Sequence, residues 1–432
     1  MRKKLHDQLP IVYPYIDHEH ARELRRIGNL IDDMPLAGEL VYQDLVGEHT
    51  DTTTGRPGLS GDQVLRLLIL KQMHSFSYEE LAFHLADSRS YRAFCGLGID
   101  EKSPRKSALQ NNIKRIRPET LEAINRLLLV VAAQEKVEPG RTVRVDCTVV
   151  ESNIHHPTDS SLLWDGVRVL VGLMKHAQDQ TGLDFVNHTK RAKRRALEIL
   201  NAKSEKKRKS PYRDLLNATA RTVTMAERMV LALTGIDAEL QAKLQHTIDL
   251  VRRVIDQTER RVFRGEKVPA EEKVVSIFED HTDIIVKDRR DTYYGHKVTL
   301  ATGKSGLFVD CVVEDGNPAD TTLAMKMIDR QHQFYGRVPR QAAFDGGFAS
   351  KDNLNALKNA GVKDVAFAKK RSLKVLDMAK SSWVYKRLRD FRAGIEGMIS
   401  FLKRCFGAGR CTWRGHESFK SYVWGSVLSA NF

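Results

Sequence analysis

The chain has 432 residues, 41% of them hydrophobic and 29% charged, and its 70 Lys and Arg outweigh 55 Asp and Glu to leave a net charge of +15. That length supports two or three domains with cores of their own, and the positive excess selects a polyanionic partner, nucleic acid or an anionic membrane surface. A membrane span is excluded, since no run approaches the ~18 apolar residues that one requires.

The basic start Met1-Arg2-Lys3-Lys4 has no apolar stretch behind it, so no secretory signal is expected. Cys95, Cys147, Cys311, Cys405 and Cys411 are scattered, without CxxC or zinc spacing, which fits reduced thiols in a cytosol. Residues 1–58 carry breakers at Pro10, Pro14, Pro35 and Gly55–Gly58 and read as an N-terminal arm or short helices.

Residues 59–138 read as a helical domain. Ser60 and Asp62 cap a helix through Val64, Leu67, Leu68 and Met73; Ser77 to Glu80 open a second through Leu81, Phe83 and Leu85. Asp87 and Ser88 open a third through Tyr91 and Phe94. The chain restarts at Ser103-Pro104, and a longer helix covers about 118–135. This spacing fits a helix-turn-helix-like DNA-binding domain and equally a helical dimerisation unit.

A β-branched run follows over Arg141–Val150, with Val143, Val145, Val149 and Val150 around a lone acid, Asp146. Burying a carboxylate in a strand is costly unless a cation or hydrogen bonds neutralise it, so Asp146 is a candidate metal ligand, the alternative being a strand-edge cap. Thr158 to Ser160 cap a helix through Leu162, Val167 and Leu170, and His155 and His156 before Pro157 read as polar turn residues. Residues 187–273 form a basic, mostly helical insertion. Lys190, Arg191 and Arg194, then Lys206, Lys207, Arg208 and Lys209, are its candidate phosphate contacts; the alternative is a solvated helix face.

At Val274 the period becomes alternating. Val274–Phe278, Tyr293–Ala301 and Gly306–Val313 read as strands, the last two as a hairpin. Asp320 caps a helix through Leu323, Met327 and Ile328. Gln341–Gly347 is a second apolar strand ending in an acid, Asp345, with a glycine pair that permits a sharp turn. A helix at about 350–359 and a strand at 365–368 follow. A third acid, Glu396, sits among apolar positions of a helix over 391–403, with Arg389, Arg392, Lys403, Arg404, Arg410 and Arg414 as basic neighbours. The order is an α/β core, residues 139–186 and 274–432, interrupted after its first strand. Two Asp at strand ends and one Glu on a helix can hold two hard divalent cations through oxygen ligands, an arrangement suited to phosphodiester chemistry.

On Asp146–His155 with Pro157–Ser161, Ser276–Thr282, Gly295–Val298, Phe344–Phe348 and Arg392–Arg404, the chain resembles the DDE transposases of bacterial insertion sequences. Ser60 to Phe94 likewise resembles the helical N-terminal domain common to such transposases. The resemblance implies an RNase H-like core and makes Asp146, Asp345 and Glu396 the catalytic, metal-binding triad. It further implies Mg²⁺ (or Mn²⁺) as cofactor, and double-stranded DNA, both inverted element ends and target, as partner. DNA contacts are expected from Arg392, Lys403, Arg404 and Arg414 besides the insertion, and a homodimer on paired ends is expected. Two other classes compete: a metal-dependent nuclease on the same core, and a non-catalytic DNA-binding regulator built on residues 59–138.

Overall fold

The computed structural model describes residues 16–47, 58–98, 100–287, 291–369 and 371–432. The expected breakers Pro10, Pro14 and most of Gly55–Gly58 lie outside them. Two compact units emerge, one from the chain up to Glu151 together with His296 onward, the other Ser152–Gly295.

Among the described residues the first unit opens with seven helices: α1 (Glu19–Asp32), α2 (Pro35–Val46), α3 (Gly61–Met73), α4 (Tyr78–Asp87), α5 (Arg89–Phe94), α6 (Lys106–Ile113) and α7 (Pro118–Gln134). Pro35 opens α2 at its first turn, where a missing N–H is no loss, so it starts a helix where the sequence suggested a breaker. Ser77 and Glu80 close a reciprocal cap on α4 (2.7 and 3.2 Å), and Ser88 caps α5 through the Tyr91 N–H. Helix α3 is the axis of this bundle: Gly61 and Gln63 through Gln72 are all buried. Its charged members are accommodated individually. Arg66 pairs with Asp32 at 2.6 Å, while Lys71 lies 5.1 Å over the Tyr78 ring and burial lowers its pKa to about 8. A helix enclosed in this way has no face to lay in a DNA groove.

The run Leu127–Val131 on α7 is more continuously apolar than a one-sided helix needs, and the fold explains why. Leu128 packs in the core shared by the N-terminal helices, and Leu129 in the core beneath the sheet. Helix α7 bridges two cores, so it needs two apolar faces.

Strand β1 (Thr142–Glu151) follows α7. The second unit then intervenes with α8 (Asp159–Thr181), α9 (Thr189–Asn201), α10 (Glu205–Ala232) and α11 (Ala238–Thr258), ending in a π-helical turn at Glu259–Phe263. Thr158 and Ser161 cap α8 reciprocally, at 3.1 and 3.2 Å. Helix α8, assigned by its position in the sequence to the α/β core, packs on α9, α10 and α11. Its glycine at 166 allows that approach, since a Cβ there would lie 2.7 Å from Val251. The strand expected over Val274–Phe278 does not form: Val274 and Ile277 are buried among the insertion helices from an irregular segment. Four consecutive residues, Val274 to Ile277, are buried there, so the β-branched run reflects an enclosed irregular segment and not one face of a strand. The strand is instead β2 (Asp283–Lys287), antiparallel to the start of β3 (Asp291–Gly303).

From His296 the chain is back in the first unit. The rest of β3 pairs antiparallel with β4 (Phe308–Val313) as a hairpin. Next come α12 (Asp320–Tyr335), β5 (Gln341–Phe344), α13 (Lys351–Asn359) and β6 (Asp364–Phe367). The short α14 (Val375–Met378), the long α15 (Ser382–Cys405) and α16 (His416–Asn431) complete it; α15 starts well before the 391 expected from periodicity. The strand order in this unit is β4-β3-β1-β5-β6, with β1, β5 and β6 parallel. The helix α13 supplies the crossover that a parallel β5–β6 pair requires. Helix α15 packs on β1, β5 and β6, and α16 packs on α3 and α7, tying the C-terminal end of this unit to its N-terminal helices.

Candidate active site

Strand register creates the site. Parallel pairing runs from Thr142↔Gln341 to Val145↔Phe344, so the next residue on each strand is an acid: Asp146 on β1, Asp345 just past β5. Neighbouring strands lie about 4.8 Å apart, which sets the two aspartates side by side at one end of the sheet. Beyond Asp345 the chain enters a tight turn at Gly346–Phe348. Neither glycine there has a positive φ, so the turn does not need them for backbone freedom. They are needed for room: a Cβ at Gly347 would lie 2.4 Å from Asp320 Oδ2, and one at Gly346 would lie 2.9 Å from the Lys369 side chain.

Helix α15 brings the third acid. Arg144, two residues before Asp146 and so on the same face of β1, is its anchor. The Arg144 guanidinium is buried, donates to Thr302 Oγ1 (2.7 Å) and to the Phe391 carbonyl of α15 (2.8 Å), and lies 4.7 Å from the Phe391 ring. Gly394 lets it through, for a Cβ at that position would sit 2.1 Å from Arg144 Nη1. Docked in this way, α15 points Arg392 and Glu396, one turn apart, toward the strand ends.

The three acids meet on one side chain. Arg392 Nη2 lies 2.8 Å from Asp146 Oδ2 and 3.0 Å from Asp345 Oδ1, and Nη1 lies 2.7 Å from Glu396 Oε1. The other oxygen of Asp146 accepts the Cys147 N–H at 2.8 Å. Exposure rises outward across the cluster: the side chains of Asp146, Asp345 and Glu396 are 13%, 41% and 66% exposed. Burial pushes Asp146 up to about 6; Arg392 opposes that shift and Asp345 adds to it. Such a cluster, all oxygen and without imidazole or thiolate ligands, suits a hard divalent cation. Cys147 turns to the opposite face, where its thiol contacts Thr299 and burial raises its pKa far above the usual range.

The expected basic residues fare differently from one another. Arg392 is directed into the acid cluster rather than outward. Arg404 and Arg414 are exposed and Lys403 is partly so, all in the segment that follows Glu396. In the other unit, Lys190, Arg191, Arg194 and Lys206 to Lys209 are all exposed. Arg191 shares Asp214 with Arg195, and Arg195 also pairs with Glu198 at 2.6 Å, so part of the run is neutralised by its own helices. Arg208 caps the Ala202 carbonyl. His155 lies 3.4 Å from Asp165, in keeping with a polar turn role.

Sequence reasoning missed Arg144. Its signal was available: a charge in an apolar strand, two residues from a second charge of opposite sign. The i, i+4 spacing of Arg392 and Glu396 likewise announced an ion pair that the apolar-context argument passed over.

Comparison with known proteins adds independent findings. Residues 12–115 match the family described as "Transposase domain (DUF772)", and residues 249–432 match the "Transposase DDE domain". Asp345 and Glu396 fall in the second match; Asp146 falls in neither. The chain is similar to the "Uncharacterized protein ORF8 in nfe locus" of Rhizobium meliloti, 31% identical over 149 residues, which is 33% of this chain and 70% of that protein. No solved structure matches the chain.

Proposed function

The chain belongs to the DDE transposases of insertion-sequence type, enzymes that cleave DNA and transfer strands with divalent metal ions, and from this premise we propose how its residues divide the work. Asp146, Asp345 and Glu396 are the catalytic acids, and the sheet β4-β3-β1-β5-β6 with α15 is an RNase H-like core. The observation that carries this reading is the convergence of the three carboxylates, from two strand ends and one helix, on the single guanidinium of Arg392. The cluster is already built around a cation, which is the fit a metal site demands.

Asp146, Asp345 and Glu396 would hold Mg²⁺, or Mn²⁺ in its place, which when bound activates a water or 3′-hydroxyl and stabilises the leaving oxygen of a phosphodiester. The chain's own residues do the positioning. Cys147 N–H fixes one oxygen of Asp146, the β1–β5 register fixes Asp345 beside it, and Arg144 fixes the helix that carries Glu396. Lys403, Arg404 and Arg414 would neutralise the strand presented to the site, and the insertion would bind phosphates of the same double-stranded DNA without reading sequence. The substrate is the inverted ends of the protein's own element, handled in the bacterial cytoplasm where that DNA lies. Moving a segment requires two ends to be processed together, so the working form is a homodimer on paired ends. Leu127, Leu128, Leu129 and Val131 of α7 pack within the chain's own cores and Val130 stays exposed, so most of that apolar run needs no partner.

The test uses the full chain with duplex DNA carrying those ends, in Mg²⁺, Mn²⁺ or Ca²⁺. Cleavage and joined product in Mg²⁺ and Mn²⁺, with assembly but little chemistry in Ca²⁺, is the expected result. Cleavage without joining would convert the reading to a nuclease, and binding without either to a regulator. Light scattering of the end complex should give two chains per paired ends; a one-to-one complex that completes strand transfer would defeat the dimer.

A further inference from the structure

Asp146 has only two oxygens to offer, and both are taken. One accepts the Cys147 N–H; the other accepts Arg392 Nη2. The same Nη2 lies 3.0 Å from Asp345 Oδ1, so the guanidinium sits between two of the carboxylates that would hold the ion. A small divalent ion binds carboxylate oxygen at about 2.0–2.1 Å and repels a guanidinium at the same oxygen, so the two cannot share it. We propose that Arg392 is the resident cation of the acid cluster, exchanged for the divalent ion on loading and released to grip a DNA phosphate. This rests on the reading of the three acids as metal ligands.

Several features of the residue suit an exchange rather than a permanent bridge. Its side chain is 13% exposed, enough to be close to an exit. Its Nε is buried without a hydrogen-bond partner, so the guanidinium is incompletely satisfied where it sits. A phosphate offers the bidentate acceptor geometry that three separate carboxylates do not. Without Arg392 or an ion, three carboxylates would face each other with Asp146 largely buried, so the cluster is more stable with one cation or the other in place. Arg392 keeps the cluster assembled before loading, and its departure puts a positive fork beside the loaded site. Coupling of this kind is reciprocal: DNA that captures the guanidinium must tighten ion binding, and ion binding must tighten DNA binding.

The experiment measures Mn²⁺ affinity of the full-length protein, from the electron paramagnetic resonance signal of free Mn²⁺, with and without duplex DNA. Melting temperature without metal is recorded alongside. Arg392→Gln should bind Mn²⁺ about tenfold more tightly than the wild type, melt lower without metal, and lose the tightening that DNA brings. Arg392→Lys, whose compact ammonium cannot span the three acids at once, should move the same way by a smaller factor and serves if the Gln variant fails to fold. Unchanged or weaker Mn²⁺ binding in both variants, while Asp146→Asn abolishes it, overturns the exchange and leaves the triad standing. Wild-type Mn²⁺ affinity in Asp146→Asn removes the triad reading, and the exchange with it.

Discussion

The acid cluster and the helical insertion handle charge in opposite ways. At the strand ends three carboxylates and one guanidinium converge from β1, β5 and α15, and the innermost acid is buried enough to shift to about 6. On α9 and α10 the charges are numerous, exposed and laid along helix faces, and Asp214 neutralises two of them locally. Few charges in a desolvated place can do chemistry on one bond, because position decides their effect. Many charges in water can only attract a polyanion, because solvent and salt average over their positions. The lesson is that a charge count describes the insertion well and the acid cluster hardly at all.

The comparison breaks first at the acids. Asp146→Asn, Asp345→Asn and Glu396→Gln should each reduce cleavage by about a thousandfold, the equivalent of several kcal/mol of lost transition-state stabilisation. Affinity for element ends should stay roughly intact, as a gel-shift titration would report. Full activity in one variant removes that residue from the site, and full activity in two ends the mechanism.

Next in size is the insertion. Replacing Lys206, Lys207, Arg208 and Lys209 together by Ala should lower affinity for all duplexes alike. The dependence of log K on log salt should flatten by about 0.9 for each phosphate that is no longer neutralised. An unchanged slope would mean the run is a solvated face and nothing more.

A smaller effect is expected at Gly394, which touches no acid. Gly394→Ala forces the Arg144 guanidinium off the Phe391 carbonyl, a loss of roughly 1–3 kcal/mol for a buried charged hydrogen bond. Because that bond docks α15, strand transfer should fall about tenfold in parallel. Thermal unfolding and a single-turnover assay read the two effects, and an unchanged rate with lowered stability would show that Arg144 only holds the fold. The smallest effect tests the neutralisation on α9. Asp214→Asn frees Arg191, while Arg195 keeps its pair with Glu198, so non-specific duplex affinity should rise by about threefold and the salt slope steepen by about one; a drop in affinity would show that Asp214 is needed to orient Arg191.

Much of this was legible from residues. Asp146, Asp345 and Glu396 stood out because each is an acid in an apolar element, and the register then explains why the first two are neighbours. Helix starts at Ser60, Ser77, Ser88 and Thr158 were readable from their caps. What escaped was long-range. Nothing local reveals that α3 is enclosed, because burial on every side comes from α2, α6 and α16. The Val274–Phe278 segment imitated a strand because β-branched Val274, Val275 and Ile277 are buried together in an irregular stretch. Arg392 looked like a surface cation since its spacing to Glu396 is local but its contacts to Asp146 and Asp345 are not. The N-terminal helices read as a domain apart, yet Val150, Val298, Leu300 and Phe308 of the strands share their core.

The interruption of the sheet bears on how the chain reaches this state. Strand β1 leaves the ribosome long before its partners β3 and β5, with the whole of Ser152–Gly295 in between. Pairings so distant in sequence normally fold slowly, since the chain must close a large loop before any contact rewards it. Here the Ser152 N–H donates to the Tyr294 carbonyl at 2.9 Å, so the helical unit begins and ends at one point. Once its four helices have packed, the loop is already closed, and Glu151 and His296 emerge as neighbours. For the β1–β3 pairing the effective sequence separation is then that of a hairpin. An insertion that orders first would act as a folded turn, bringing the strand that carries Asp146 close to its β3 partner.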